Sequence, residues 1–196
     1  VSLPIGALTL TGTYQKGDEY TPKELEKMTK AVKKTIKEHT WLQNIKLPLL
    51  GIGGTARNIA KIDQRKLSYP ITKLHNYELP YHRFHEILED VKGKSLEARK
   101  KISGLSSDRA DIIIAGLTIV DELFNYVNTK TLVVGGCGLR EGLFYDYYGE
   151  YYLGGTSIID DILVHSAENV LLGMTKHELV HAKYITKLAT TLYDAL

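Results

Sequence analysis

The residue pattern predicts an α/β domain with a partly parallel sheet, followed by an all-helical segment. Three observations carry this reading. The apolar run Leu47 to Ile52 ends in glycines and passes at once into a helical pattern. The run Thr131 to Val134 does the same through Gly135, Gly136, Cys137 and Gly138. Helical patterns lie between the two units, and beyond about Ser157 two more follow with no strand between them.

The elements follow in order. Leu3 to Thr13 alternates β-formers with small residues and reads as a strand. Thr21-Pro22-Lys23-Glu24 marks a helix start, with Thr21 as N-cap, Pro22 at the first helical position and Glu24 at the third. Leu25, Met28, Val32 and Ile36 then form one face, while Lys30, Lys33, Lys34 and Lys37 cover the solvent side. Leu47 to Ile52 is a strand and Thr55 to Ile62 the helix after it. Gln64 to Glu78, polar and holding Pro70, reads as a loop. Pro80 to Asp90 is a helix whose core face is Phe84, Ile87, Leu88 and Val91. Ser95 to Ile102 is a short charged helix. Arg109 to Val127 is apolar nearly all round, as expected of a helix buried on more than one side. Thr131 to Val134 is a strand, Leu139 to Tyr148 a helix, and the tyrosine- and glycine-rich stretch Tyr148 to Gly155 a linker. Ile159 to Leu172 and Lys176 to Leu196 complete the helical segment. The expected domains are 1–156 and 157–196.

The chain has 196 residues, 43% hydrophobic and 24% charged, with a net charge of +2. This is ordinary globular composition and argues against duplex nucleic acid as the main ligand. The single cysteine, Cys137, cannot form an internal disulfide and reads as a small buried residue, so a reducing cytoplasm is expected. No apolar run approaches the roughly 18 residues of a membrane helix, and no signal-peptide pattern is present. The chain begins in a strand-like segment without a methionine and stops inside a helical pattern, and so reads as a piece of a longer protein.

The junction Gly51-Ile52-Gly53-Gly54-Thr55 carries the main chemical signal. A strand, a tight glycine turn and a helix start aim backbone N–H groups and the positive helix end at one point, where a phosphate can sit. Close strand-to-helix packing is the other reading of the same glycines. Arg57, one turn on, adds charge. Arg109 follows Gly104-Leu105-Ser106-Ser107-Asp108. Its planar fork suits phosphate oxygens, and an ion pair with Asp108 or Asp111 is the alternative. His82 and His85, three apart beside Glu86 and Glu89, have metal-ligand spacing but no further ligands. His177-Glu178-Leu179-Val180-His181 matches the zincin order, yet only fifteen residues follow, in one regular helical pattern with no glycine turn, where a third ligand is needed downstream. Asp160 with Asp161 reads as a solvated acidic pair.

Four stretches together resemble the exopolyphosphatase/guanosine pentaphosphate phosphatase (Ppx/GppA) family. They are Ser2 to Thr11, Gly51 to Ala60, Gly104 to Ile112 and Gly138 to Leu143, and their order and spacing match that family's second actin-like domain. The segment from Ile159 resembles the opening of its helical HD-like third domain. The resemblance implies an actin-like (ribonuclease H-like) architecture with a mixed sheet. It implies release of orthophosphate from polyphosphate or guanosine pentaphosphate, assisted by Mg2+ in the intact protein. It places Gly53, Gly54, Thr55, Arg57 and Arg109 on the phosphate-binding wall. The family's first phosphate loop and catalytic glutamate would precede Val1, so no catalytic or metal-binding residue is assigned here. Gly135-Gly136-Cys137 stands where a serine is expected. A non-catalytic phosphate- or nucleotide-binding module of the same fold is the rival reading, and the tyrosines of 145–152 suit an interface such as a homodimer.

Overall fold

A short strand at the centre of a small sheet, β3 (Thr131–Val134), organises the larger of two compact units. The structure, a computed structural model, describes residues 2–43, 45–155, 161–174 and 179–195. Two compact units are present, residues 1–69 with 74–138, and residues 70–73 with 139–196. The first unit holds α1 (Ala7–Tyr14), α2 (Pro22–Lys37), β1 (Leu49–Gly51), α3 (Gly54–Lys66), β2 (Tyr77–Pro80), α4 (Tyr81–Lys92), α5 (Leu96–Lys100), α6 (Ile113–Val127) and β3 (Thr131–Val134). The second holds α7 (Leu139–Tyr152), α8 (Ile162–Met174) and α9 (Leu179–Asp194).

The sheet runs β1-β3-β2. β1 is parallel to β3, with Leu50 opposite Val133, and β2 is antiparallel, with Leu79 opposite Leu132. Leu132, Val134, Tyr77 and Leu79 all point into the core, because alternate residues of a strand share a face. α3 and α4 pack on that face. The apolar α6 is the hub against which α1, α2, α3 and α4 pack, so it is buried on several sides as its composition requires.

α2 starts as the sequence dictates. Thr21 and Glu24 form a reciprocal capping box, and Met28, Val32 and Ile36 are buried on the inner face. α4 buries Phe84, Ile87, Leu88 and Val91. Within the second unit, Asp161 caps α8 by accepting from the backbone N–H groups of Leu163 and Val164 at 2.9 and 3.0 Å. Lys183 of α9 pairs with Glu168 of α8 at 2.6 Å.

Five expectations are corrected. The strand expected over Leu3 to Thr13 is helical from Ala7 to Tyr14. Gly6 stands extended at its N-cap, Leu10 is buried, and the helix packs on α6 and α2. Its threonines are accommodated by back-bonding, since the Thr13 hydroxyl donates to the Thr9 carbonyl at 2.8 Å. The loop expected over Gln64 to Glu78 begins with the last turn of α3 and ends in β2. That strand is short, lies on a sheet edge, and ends in a proline that an edge tolerates. It is held by a buried side-chain bond: the Tyr77 hydroxyl donates to Asp63 Oδ2 at 2.6 Å. Burial, reinforced by that carboxylate, pushes the Tyr77 hydroxyl well above its ordinary pKa. Arg109 closes a separate 3-10 turn, Ser107–Arg109, and α6 begins only at Ile113. The linker expected from Tyr148 is helical through Tyr152, where rings four apart stack, as with Tyr148 and Tyr152 at 5.0 Å. Cys137 is exposed, not buried. The boundary expected near Ser157, Asp160, and His177 with Glu178 of the zincin-like run lie outside the described residues.

Candidate phosphate-binding site

The C-terminal ends of the parallel strands β1 and β3 place the two glycine turns side by side. The Gly135 N–H donates to the Gly51 carbonyl at 2.8 Å. Gly51 is needed for closeness, since a Cβ there would lie 2.7 Å from Ala56 Cβ and 2.9 Å from Leu132 Cδ1. Gly53 is needed for conformation. Its φ is 104°, and a Cβ there would meet nothing within 4 Å.

Gly53 is the N-cap of α3 and supplies no side chain to cap it. The N–H groups of Gly54, Thr55 and Ala56 therefore open α3 without the internal partner that Thr21 gives α2 or Ser95 gives α5. The Gly53 carbonyl accepts from the Arg57 backbone N–H at 3.1 Å and from Arg57 Nε at 3.3 Å. The Arg57 side chain thus folds back along the helix toward its start. Thr55 is half-buried, and its side chain is engaged with α6: a Cβ at Gly116 would lie 2.7 Å from Thr55 Cγ2.

Arg109 reaches the same place from another part of the chain. The segment that carries it is pinned to α3 at two points. Gly104, with φ 93°, passes so close that a Cβ would lie 2.6 Å from the Lys61 carbonyl carbon and oxygen. Further on, Ser106 donates from its backbone N–H at 2.8 Å and its hydroxyl at 3.0 Å to Asn58 Oδ1. Asn58 in turn donates from Nδ2 to the Gly54 carbonyl at 2.8 Å. The result is that the Arg109 guanidinium lies over Gly54, its Cζ 3.2 Å from the point a Gly54 Cβ would occupy and Nε and Nη1 at 3.5 Å. A side chain at position 54 would press on the guanidinium, which would have to give by a few tenths of an ångström.

The ion pair that was the alternative for Arg109 is not formed. Asp111 instead accepts from the Ile112 N–H at 2.9 Å. Among the described residues Arg109 has no carboxylate within 4.0 Å. Beyond Arg109 the chain is anchored by Arg99, which is 0% exposed. Its guanidinium donates to the carbonyls of Ala110, Asp111 and Asp18 at 2.8, 3.3 and 2.9 Å.

The second glycine turn is less open. The Gly135 N–H is used by Gly51, and the Gly136 N–H donates to His75 Nδ1 at 3.4 Å. A Cβ at Gly136 would also lie 2.8 Å from His75 Cβ. The free amides therefore belong to the α3 turn. The structure brings together Gly53, Gly54, Thr55, Arg57 and Arg109.

Sequence reasoning missed Asn58, Arg99, Gly104, Ser106 and Gly116. Two carried a readable signal. A short polar residue at position 58 interrupts an inward-facing run, and a lone glycine inside the apolar α6 marks close approach of another element. Among the described residues no group of three or more His, Cys, Asp or Glu is placed to hold a metal.

Comparison with known proteins places this arrangement. Residues 1–150 match the Ppx/GppA phosphatase family, and the chain belongs to that family. A Ppx/GppA family member from Aquifex aeolicus aligns with a TM-score of 0.66 and 27% identity, over 78% of this chain and 49% of that one. An exopolyphosphatase from Cytophaga hutchinsonii shares the fold, with a TM-score of 0.69 at 19% identity, over 76% of this chain and 49% of that one. A bifunctional 3-dehydroquinate synthase/phosphatase from Fusobacterium nucleatum is 25% identical over 137 residues, 68% of this chain and 20% of that protein. The chain thus spans about half the length of these solved relatives and a fifth of the curated one. The fold is α/β and actin-like. Among the described residues no helix is long and apolar enough to cross a membrane.

Proposed function

We propose that this chain forms the phosphate-binding wall of an exopolyphosphatase-type phosphohydrolase, which releases orthophosphate from polyphosphate or guanosine pentaphosphate. The observation that supports it is the guanidinium of Arg109 over the uncapped start of α3. Phosphoryl oxygens would accept from the Gly54, Thr55 and Ala56 amides, while Arg109 and Arg57 meet the charge from two sides. Fixed donors of this kind stabilise a charged phosphoryl group without reorganising during reaction. Among the described residues no carboxylate lies within 4.0 Å of the Arg109 guanidinium. The base, and the ligands of any magnesium that accompanies the phosphate chain, belong in this reading to residues outside the 196. The chain alone binds phosphate weakly and hydrolyses nothing.

A non-catalytic phosphate- or nucleotide-binding module of the same fold is the second reading. Titration of the chain with inorganic triphosphate, guanosine pentaphosphate and ATP separates the two. The phosphohydrolase reading expects triphosphate and guanosine pentaphosphate to bind at the α3 turn at least as well as ATP. Selective binding of ATP favours the sensor. In either case Arg109→Ala is expected to weaken binding by about 1.5–3 kcal/mol, the worth of a charged hydrogen bond. Unchanged affinity would remove Arg109 from the site.

A further inference from the structure

We propose that Asn58 is a positioning residue for phosphate binding, whose buried carboxamide sets where the Arg109 guanidinium stands over the start of α3. The inference rests on the reading of the site given above.

Asn58 is 5% exposed. Its side chain is hydrogen-bonded to both walls of the site. One wall is the first turn of α3, reached through Nδ2 and the Gly54 carbonyl at 2.8 Å. The other is the segment that delivers Arg109, reached through Oδ1 and the two donors of Ser106 at 2.8 and 3.0 Å. Ser106 accepts the backbone N–H of Arg109 itself, through its carbonyl, at 3.0 Å. The path from Asn58 to the Arg109 backbone is therefore two hydrogen bonds and one residue long.

The amide is the side chain suited to this task. Its oxygen takes two donors while its nitrogen gives one. An aspartate would lose the donor and set a negative charge beside the phosphate site, and a leucine of similar shape would lose both functions. Arg99 holds the far end of the segment by the Ala110 and Asp111 carbonyls, so freeing the Ser106 end lets Arg109 pivot about a fixed point. A shift of even one ångström matters to a guanidinium that must meet the same anion as the α3 amides.

A purely structural role for Asn58 would lower stability and reduce binding by the same factor whether or not Arg109 is present. A positioning role makes the loss depend on Arg109. The test is a double-mutant cycle on the full chain, titrated with inorganic triphosphate: wild type, Asn58→Ala, Arg109→Ala and the double variant. Asn58→Ala is expected to weaken binding about tenfold in the wild-type background, the worth of one ordinary hydrogen bond. In the Arg109→Ala background the loss is expected to shrink to less than about twofold. Ser106→Ala removes one arm of the clamp and leaves the Asn58 packing intact, so it carries the test if Asn58→Ala fails to fold. Its expected loss is about threefold, again only when Arg109 is present. Equal losses in both backgrounds, or none, overturn the inference while leaving the site reading in place. If Arg109→Ala itself changes nothing, the reading of the site falls and the role of Asn58 falls with it.

Discussion

Glycines 53 and 104 show that the same residue type is required at this site for two different reasons. Gly53 has φ 104° with open space where a side chain would stand, so Gly53→Ala tests backbone conformation alone. It is expected to cost about 1–3 kcal/mol of stability, because φ 104° with ψ −171° lies in a region populated essentially by glycine alone. Urea unfolding would show a lower midpoint with an unchanged slope; an unchanged midpoint would mean the turn relaxes freely. Gly104 combines a positive φ with a steric limit set by the Lys61 backbone. Of the site, the sequence made legible the residues that announce themselves: glycines at a strand-to-helix junction, and arginines beside glycine loops. It did not reveal that Arg109 lies over Gly54, with no carboxylate within 4.0 Å among the described residues. That outcome depends on Asn58 meeting Ser106, 48 positions away, and on a close approach at Gly104. Contacts of that range leave no periodic trace.

Among the elements, those read correctly carry strong local rules. The start of α2 is the clearest case: the Thr21 backbone N–H and hydroxyl both donate to Glu24 Oε2 at 2.8 Å. These bonds hold the Glu24 carboxyl below its ordinary pKa. A carboxyl whose folded pKa is depressed stabilises the fold above its unfolded pKa and loses that contribution as pH falls through the folded value. The stability gap between wild type and Glu24→Gln should therefore be full at about pH 7 and shrink as the pH falls below the ordinary glutamate pKa of about 4.3. A gap that persists in acid would show that the box owes nothing to ionisation. The elements misread are those where tertiary contacts decide. α1 is rich in threonine and reads as β, yet burial of Leu10 against neighbouring helices selects the helix. β2 is four residues long and ends in proline, and its place comes from pairing with β3 and from the Tyr77–Asp63 bond. The extra turn of α7 is supported by stacked tyrosines four apart, a helical signal hidden within an apparently linker-like composition.

At the scale of the whole molecule, the α/β class and the parallel pairing of the two strand–glycine units were legible, because each unit shows a strand, a breaker and a helix in sequence. The compact first unit reaches Gly138, and no composition shift marks that point. Parallel strands open their C-terminal ends onto a common crevice, and this places the α3 start and Arg109 within reach of one ligand. The most direct measurement is a titration of the isotope-labelled chain with inorganic triphosphate, followed by NMR at the backbone amides and the arginine Nε–H groups. The account expects Gly54, Thr55, Ala56 and Arg109 Nε–H to shift together along one binding curve that weakens with added salt. Shifts confined to the lysines of α2, or curves at Thr55 and Arg109 that report different affinities, would contradict it.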